Sequence, residues 1–222
     1  MKIENNTDEY LEAIYKISDE EEKVTIAKLA QTLNIRPQSA REKINGLDKD
    51  KYINYSKDGI TLTDKGIIRA KDIIRKHRLA ERFLKDSLGL DWDEVHEEAC
   101  LFEHIMSQRV ADALEKFLNY PSNCPHGHPI PSKDGQIKKE DKLKKLSELH
   151  SGAKATVKKI DEQSSALLKQ LMSLGILPEC KIELKQIAPF HSAFMVEINN
   201  LCCYSIGQDI AKKIWVSEEA RK

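Results

Sequence analysis

Residues 24–66, "VTIAKLAQTLNIRPQSAREKINGLDKDKYINYSKDGITLTDKG", restrict the fold more than any other stretch. Thr25 is placed to cap a short helix bearing Ile26, Leu29 and Ala30, and Asn34 marks a turn. Pro37 opens a second helix that buries Ala40, Ile44 and Leu47. Two short helices about a tight turn make a helix-turn-helix. Beyond them "KYINYS" and "ITLT" alternate as strands around "KDG", which predicts a hairpin. A helix-turn-helix followed by a hairpin is a winged helix. In that module the start of the second helix reaches base edges in the major groove. Arg36, Pro37, Gln38, Ser39 and Arg41 are therefore candidate DNA contacts, with Lys43 on the same helix and Lys57 at the wing tip available for phosphates. Winged helices also bind proteins, so the pattern alone does not name the ligand.

The formal net charge is zero, which would argue against a nucleic-acid partner if the charge were evenly spread. It is not. Residues 1–22 carry two lysines against eight acids, residues 23–71 eleven basic residues against five acids, and residues 77–118 five against ten. A module of +6 thus lies between carboxylate-rich neighbours of −6 and −5, a layout suited to one phosphate-facing unit.

Ahead of the basic module, "DEYLEAIYKIS" places Leu11, Ile14 and Tyr15 at helical spacing. After it, Asp64 to about Leu88 reads as one long helix, and residues 92–118 as another with Val95, Ala99, Phe102, Met106, Val110, Phe117 and Leu118 on one face. Leu101 and Ile105 fall off that face and suggest either the surface of a two-fold homodimer or further packing within the chain. "NYPSNCPHGHPIPSKDG" ends the helical region, and from Ser151 the strands "KATVKKI", "KIELKQI", "FMVEIN" and "CCYSI" with one helix, "LLKQLMSLG", predict a small β-barrel. The expected class is α+β, mainly helical: winged helix 1–71, helical domain 72–135, linker 136–150 and barrel 151–217. No apolar run is long enough for a membrane span, and the N-terminus lacks signal-peptide features, so a cytoplasmic protein with no membrane partner is expected. Five cysteines, two of them adjacent, form a poor disulfide framework and leave thiols for metal.

Three helices carry metal-competent groups at one-face spacing. They are Glu9 and Glu12 on the first, His77 and Glu81 on the long helix, and His96, Cys100, Glu103 and His104 on the next. Each pair alone fits a solvated helix face, but three helices repeating the pattern point to a shared site. Carboxylate, imidazole and thiol together suit a divalent transition metal and not calcium. "HEEAC" departs from the zinc-protease HExxH by its cysteine, and "CPHGH" lacks the second ligand pair of a zinc finger.

The pieces "EYLEAIY", "RKHRLAERFL", "VHEEACLFEHIMS", "CPHGHPIP" and "LMSLGILPECKIEL" resemble the diphtheria toxin repressor family of metal-dependent regulators, including its manganese-responsive and streptococcal-type members. The resemblance covers nearly the whole chain. It implies a winged helix, a helical dimerisation and metal-binding domain, and a C-terminal SH3-like, FeoA-like domain. It also implies a primary metal site of Glu9, Cys100, Glu103 and His104, with Glu12 as an additional ligand. A second site would use His77, Glu81 and His96, completed either by Asp161 or Glu162 or by Cys124 and His126 of the proline-rich loop. Iron-responsive relatives carry methionine at the Glu9 position, and manganese-responsive ones a carboxylate in place of Cys100. This hybrid leaves Mn2+ and Fe2+ both open, with Co2+, Ni2+ or Zn2+ as substitutes. The implied function is a homodimeric repressor that binds palindromic operator DNA when metal is bound and controls metal-uptake genes. The alternatives are a cytosolic zinc metalloenzyme, for which no separate nucleophile is visible, and a metal-trafficking protein.

Overall fold

The structure, a computed structural model, describes residues 7–20, 23–137, 143–161 and 164–219. The chain divides into two compact units: Met1–Lys76 with Pro131–Gln136, and His77–Ile130 with Ile137–Lys222.

The first unit opens with α1 (Thr7–Glu20), α2 (Ile26–Thr32) and α3 (Pro37–Lys49), followed by β1 (Ile53–Ser56) and β2 (Gly59–Leu62). Local chemistry sets the boundaries. The Thr25 hydroxyl accepts the Lys28 N–H at 3.2 Å and starts α2, Asn34 takes the left-handed conformation at φ 51°, and Pro37 occupies the first turn of α3. The strands pair antiparallel with Ile53 opposite Leu62 and Ser56 opposite Gly59, leaving Lys57 and Asp58 at the wing tip. Gly59 has φ +118°, and a Cβ there would lie 2.8 Å from the Val24 carbonyl oxygen, so the wing packs closely only with glycine at this position. Leu11, Ile14, Leu29, Ile44, Ile53 and Ile60 are buried in one apolar core. Burial of each such side chain stabilises by about 1.5–3 kcal/mol.

α4 (Asp64–Asp86) runs unbroken from the wing; its first turn is capped by Thr63 Oγ1, which accepts the Gly66 N–H at 3.2 Å. The second unit takes up the helix at His77 and adds α5 (Val95–Phe102) and α6 (Gln108–Phe117). This corrects the expectation of one helix over 92–118. Trp92 lies in a turn ahead of α5, and Ser107 caps α6 by accepting the Val110 N–H at 3.3 Å, so Glu103 and His104 fall at the break. Val110 and Phe117, expected on the inner face, are 48% and 67% exposed, because the second helix starts in a new register after that break. Leu101 and Ile105 are exposed, as expected.

The C-terminal domain contains β3 (Lys144–Lys145), β4 (Lys154–Ile160), α7 (Ser165–Ser173), β5 (Lys181–Ile187), β6 (Ala193–Ile198), β7 (Cys202–Gly207), α8 (Gln208–Ala211) and β8 (Ile214–Glu218). The strands form one antiparallel sheet in the order β3-β8-β4-β5-β6-β7. Among the described residues no ladder joins β3 to β7. Register shifts at Val157/Lys159 and Leu184/Gln186 bend the sheet, as bulges do. Val157, Leu168, Leu184, Phe194, Val196 and Ile214 fill its core. The sequence reading missed β3, β8 and α8. In particular, "IWVSE" lies between β3 and β4, away from its sequence neighbour β7 in the sheet.

Candidate metal centre and nucleic-acid interface

Between Ile73 and Glu81, α4 has almost no exposed side. Its i, i+4 pair His77 and Glu81 is therefore carried into the interior, at 1% and 0% exposure. α5 runs past them with His96 and Cys100 one turn apart, and its C-cap is Glu103, 1% exposed. His77 Nδ1 lies 2.6 Å from Glu103 Oε2, while His77 Nε2 lies 3.1 Å from His96 Nδ1 and 3.2 Å from Glu81 Oε1. Cys100 Sγ is 3.9 Å from His96 Nε2, and one donor atom from each of His77, His96 and Cys100 falls within 4.8 Å of the others. His104, half-buried in the turn after α5, places Nε2 3.4 Å from Glu103 Oε1.

A second cluster adjoins the first through Glu81. The loop after α6 delivers Cys124 and His126, buried at 3% and 0% exposure, and donor atoms of Glu81, Cys124 and His126 again lie within 4.8 Å of one another. His126 Nδ1 is 3.1 Å from Glu81 Oε1. The loop is fixed by its surroundings. The Trp92 indole N–H donates to the Pro125 carbonyl at 2.9 Å, and the Ile160 N–H donates to the His126 carbonyl at 3.0 Å. His128 Nε2 lies 2.9 Å from the Ile160 carbonyl. Gly127, at φ +90°, passes so close to β4 that a Cβ would sit 1.9 Å from the Lys158 carbonyl oxygen. A cavity of about 950 Å³ has Cys124, Trp92, Arg82, Lys85 and Lys158 in its walls.

The electrostatics are those of a site short of positive charge. Burial alone would raise the Glu81 carboxyl, but the charges of His77 and His126 and their hydrogen bonds hold it well below the usual range. Burial likewise opposes the His77 imidazolium, yet the Glu81 charge and the hydrogen bonds it donates to Cys100 and Glu103 hold its pKa well above normal. The Cys100 thiol, pushed up by burial, is held below its ordinary value by His77 and His96. Glu81 Oε2 is buried and has no hydrogen-bond partner. A buried carboxylate oxygen normally finds a partner, so this one marks where a cation fits the donor set.

Asp161, just after β4, faces Lys213 at 3.8 Å and is in neither cluster, and Glu162 lies outside the described residues. Glu9 and Glu12 are on α1 in the first unit, Glu9 half-buried and Glu12 8% exposed with Lys16 3.0 Å away. Sequence reasoning missed Trp92, Gly127 and Ile160, whose contacts reach across about thirty residues and leave no periodic signal.

In the winged helix Arg36, Pro37, Gln38 and Arg41 are exposed along the start of α3, with Ser39 and Lys43 half-buried and Lys57 exposed at the wing tip. Gln38 Nε2 donates to Glu42 at 2.8 Å.

Together these modules define a metal-dependent transcriptional repressor. Residues 2–60 match the model described as iron dependent repressor, N-terminal DNA binding domain; residues 63–132 match iron dependent repressor, metal binding and dimerisation domain; and residues 144–218 match the FeoA domain. The iron-dependent repressor IdeR of Mycobacterium tuberculosis is 32% identical over 196 residues, covering 82% of this chain and 84% of that protein. The diphtheria toxin repressor of Corynebacterium diphtheriae is 36% identical over 131 residues, 59% of this chain and 58% of that protein. A solved manganese-dependent transcriptional repressor in complex with manganese superposes with a TM-score of 0.88 at 30% identity, over 96% of this chain and 100% of that one. The chain belongs to the iron-dependent repressor family that includes the diphtheria toxin repressor. Its C-terminal domain is the SH3-like FeoA type, and its relatives are regulators, not enzymes. No helix among the described residues is long and apolar enough to cross a membrane.

Proposed function

We propose that this protein is a cytoplasmic homodimeric repressor activated by Mn2+ or Fe2+, acting on a palindromic operator that controls metal uptake. Co2+, Ni2+ and Zn2+ are expected to substitute. The observation that carries the metal assignment is Glu81, whose Oε2 is buried without a partner while Oε1 faces His77, His96 and His126. When bound, a divalent cation supplies the positive charge that this buried set of acids, imidazoles and thiols is arranged to accept. His77, Glu81 and His96 with Cys124 and His126 make up the second centre, which favours completion from the proline-rich loop over Asp161. Cys100, Glu103 and His104 contribute to the primary centre, and Glu9 and Glu12 complete it as the family resemblance implies. Carboxylates favour Mn2+ and the two thiols favour softer ions, so both named metals stay in the proposal.

The DNA half rests on α3 and the wing. Arg36, Gln38 and Arg41 reach base edges, and Lys43 and Lys57 take phosphates. α4, which starts at the wing, also carries His77 and Glu81, so a single helix belongs to both functions. A homodimer requires half-sites about one helical turn apart or a multiple, ~34 Å. Fluorescence anisotropy of DNA from upstream of the gene, titrated with and without Mn2+, Fe2+ and Zn2+, tests the proposal. Metal is expected to tighten DNA binding about 5–150-fold, the usual range of such coupling. Glu103→Ala and His104→Ala should lose that enhancement while remaining folded dimers. Arg41→Ala should weaken DNA binding without altering metal affinity in the DNA-free protein. DNA affinity indifferent to metal would overturn the reading.

A further inference from the structure

One residue holds the histidine of the second centre from two directions. The Trp92 carbonyl oxygen lies 2.9 Å from His126 Nε2, so that ring nitrogen carries the proton and donates it. The other nitrogen, Nδ1, is then the atom turned toward Glu81, 3.1 Å away. The Trp92 indole N–H donates to the Pro125 carbonyl at 2.9 Å, fixing the residue just before the histidine. The indole also covers the imidazole, with ring centroids 4.9 Å apart and planes tilted by 49°. Trp92 itself is 6% exposed and His126 0%, so neither bond is shared with bulk water.

We infer that Trp92 is a positioning residue of the second metal centre: it presents His126 Nδ1, and not Nε2, to the cation, and keeps Pro125 from swinging Cys124 and His126 apart. This rests on the reading of Glu81, Cys124 and His126 as a metal centre. Metal-bound histidines generally donate their second ring N–H to a carbonyl or carboxylate, and loss of such partners costs about 10–100-fold in affinity. Here the carbonyl belongs to the residue whose side chain also anchors the loop. The lever is therefore the indole: the backbone carbonyl survives substitution, but its alignment with the ring does not. Ile160 N–H on the His126 carbonyl, and Gly127 against Lys158, fix the main chain from the far side, so the task left to Trp92 is the rotation of the ring.

The test is a Co2+ titration of the full chain followed through the thiolate-to-cobalt charge-transfer absorption, with Cys124→Ser identifying the component due to Cys124. Trp92→Phe keeps a ring over His126 and removes only the indole N–H; Trp92→Ala removes both. The Cys124-dependent component should weaken about tenfold in the Phe variant and up to about a hundredfold in the Ala variant. The Cys124-independent component should stay at its wild-type value, and circular dichroism of the metal-free Phe variant should report a folded protein. Nitrogen-15 spectra of the wild-type Zn2+-loaded protein should report His126 protonated at Nε2 alone, and the Zn2+-loaded Ala variant should show a tautomer mixture. Wild-type affinity in both variants, or equal weakening of both thiolate components, overturns the inference and leaves the centre intact. Absence of any Cys124-dependent band in the wild type overturns the centre, and the inference with it.

Discussion

The winged helix and the helical module bury opposite kinds of chemistry. The interior of the first is apolar, with Leu11, Ile14, Leu29, Ile44, Ile53 and Ile60 at 2% exposure or less. The second buries His77, Glu81, Glu103 and His126 equally deeply, beside a thin apolar set in which Ala80, Ala99 and Ala111 leave little side chain to pack. Apolar burial stabilises whatever the solution contains. A buried cluster of acids and imidazoles does so only when protons or a cation balance it. The first region is therefore built to hold one shape, and the second to respond to a ligand.

The largest expected effect tests the apolar side. Ile44→Ala should destabilise the protein by about 2–5 kcal/mol, the cost of deleting a fully buried branched side chain. Denaturant unfolding measures it. The comparison is sharpened by repeating the measurement with Mn2+. Metal at a hundred times its dissociation constant should add about 2.7 kcal/mol to wild type and to Ile44→Ala alike. Loss of that increment in Ile44→Ala would show that the cores are not independent, and the contrast would break. Chelation should remove the increment in both.

A smaller effect separates the regions by pH. His77 is held above its ordinary 6.5 by Glu81 and its other partners, although burial opposes this. Its contribution to metal-free stability is present below that ordinary value and lost as pH rises through the raised one. Glu81 is held low, so its contribution is present above its ordinary 4.5 and lost as pH falls through the depressed value. A cation must displace the His77 proton, so metal affinity should rise with pH, by up to about tenfold per unit for each proton released, until His77 is neutral. Isothermal titration at several pH values, in buffers of differing ionisation enthalpy, counts those protons. A flat affinity between pH 6 and pH 8 would remove His77 from the ligand set.

What the sequence disclosed follows the same division. The winged helix was legible because its signals are local: Thr25, Asn34, Pro37 and the Lys57-Asp58-Gly59 turn each act within four residues. The pair His77 and Glu81 was legible for the same reason, since helical spacing alone places both on one face. Assembly of the second cluster was not. Whether Glu81 meets Cys124 and His126 or Asp161 depends on where the 119–135 loop lies, and that is decided by Trp92, Gly127 and Ile160 through contacts between distant segments. The break between α5 and α6 was missed because no Gly or Pro marks it; a single serine cap does.

That cap supplies the smallest and most discriminating comparison. Thr25 and Ser107 do the same local work, each accepting a backbone N–H three residues on, at 3.2 and 3.3 Å. Thr25→Ala and Ser107→Ala should each cost about 1 kcal/mol of stability. Their consequences for metal should differ. Thr25 caps a helix of the apolar unit, so its loss should leave metal affinity unchanged. Ser107 starts α6 immediately after the turn that holds Glu103 and His104, and without it α5 gains freedom to continue as helix through those residues. Their carboxylate and imidazole would then rotate by about 100° per residue about a continued helix axis, away from the geometry of the turn. Equal stability losses with a metal affinity reduced only in Ser107→Ala would show that the break is part of the site. Equal affinities would mean that Glu103 and His104 are placed by their contacts with His77 and each other, and that the cap is structural only.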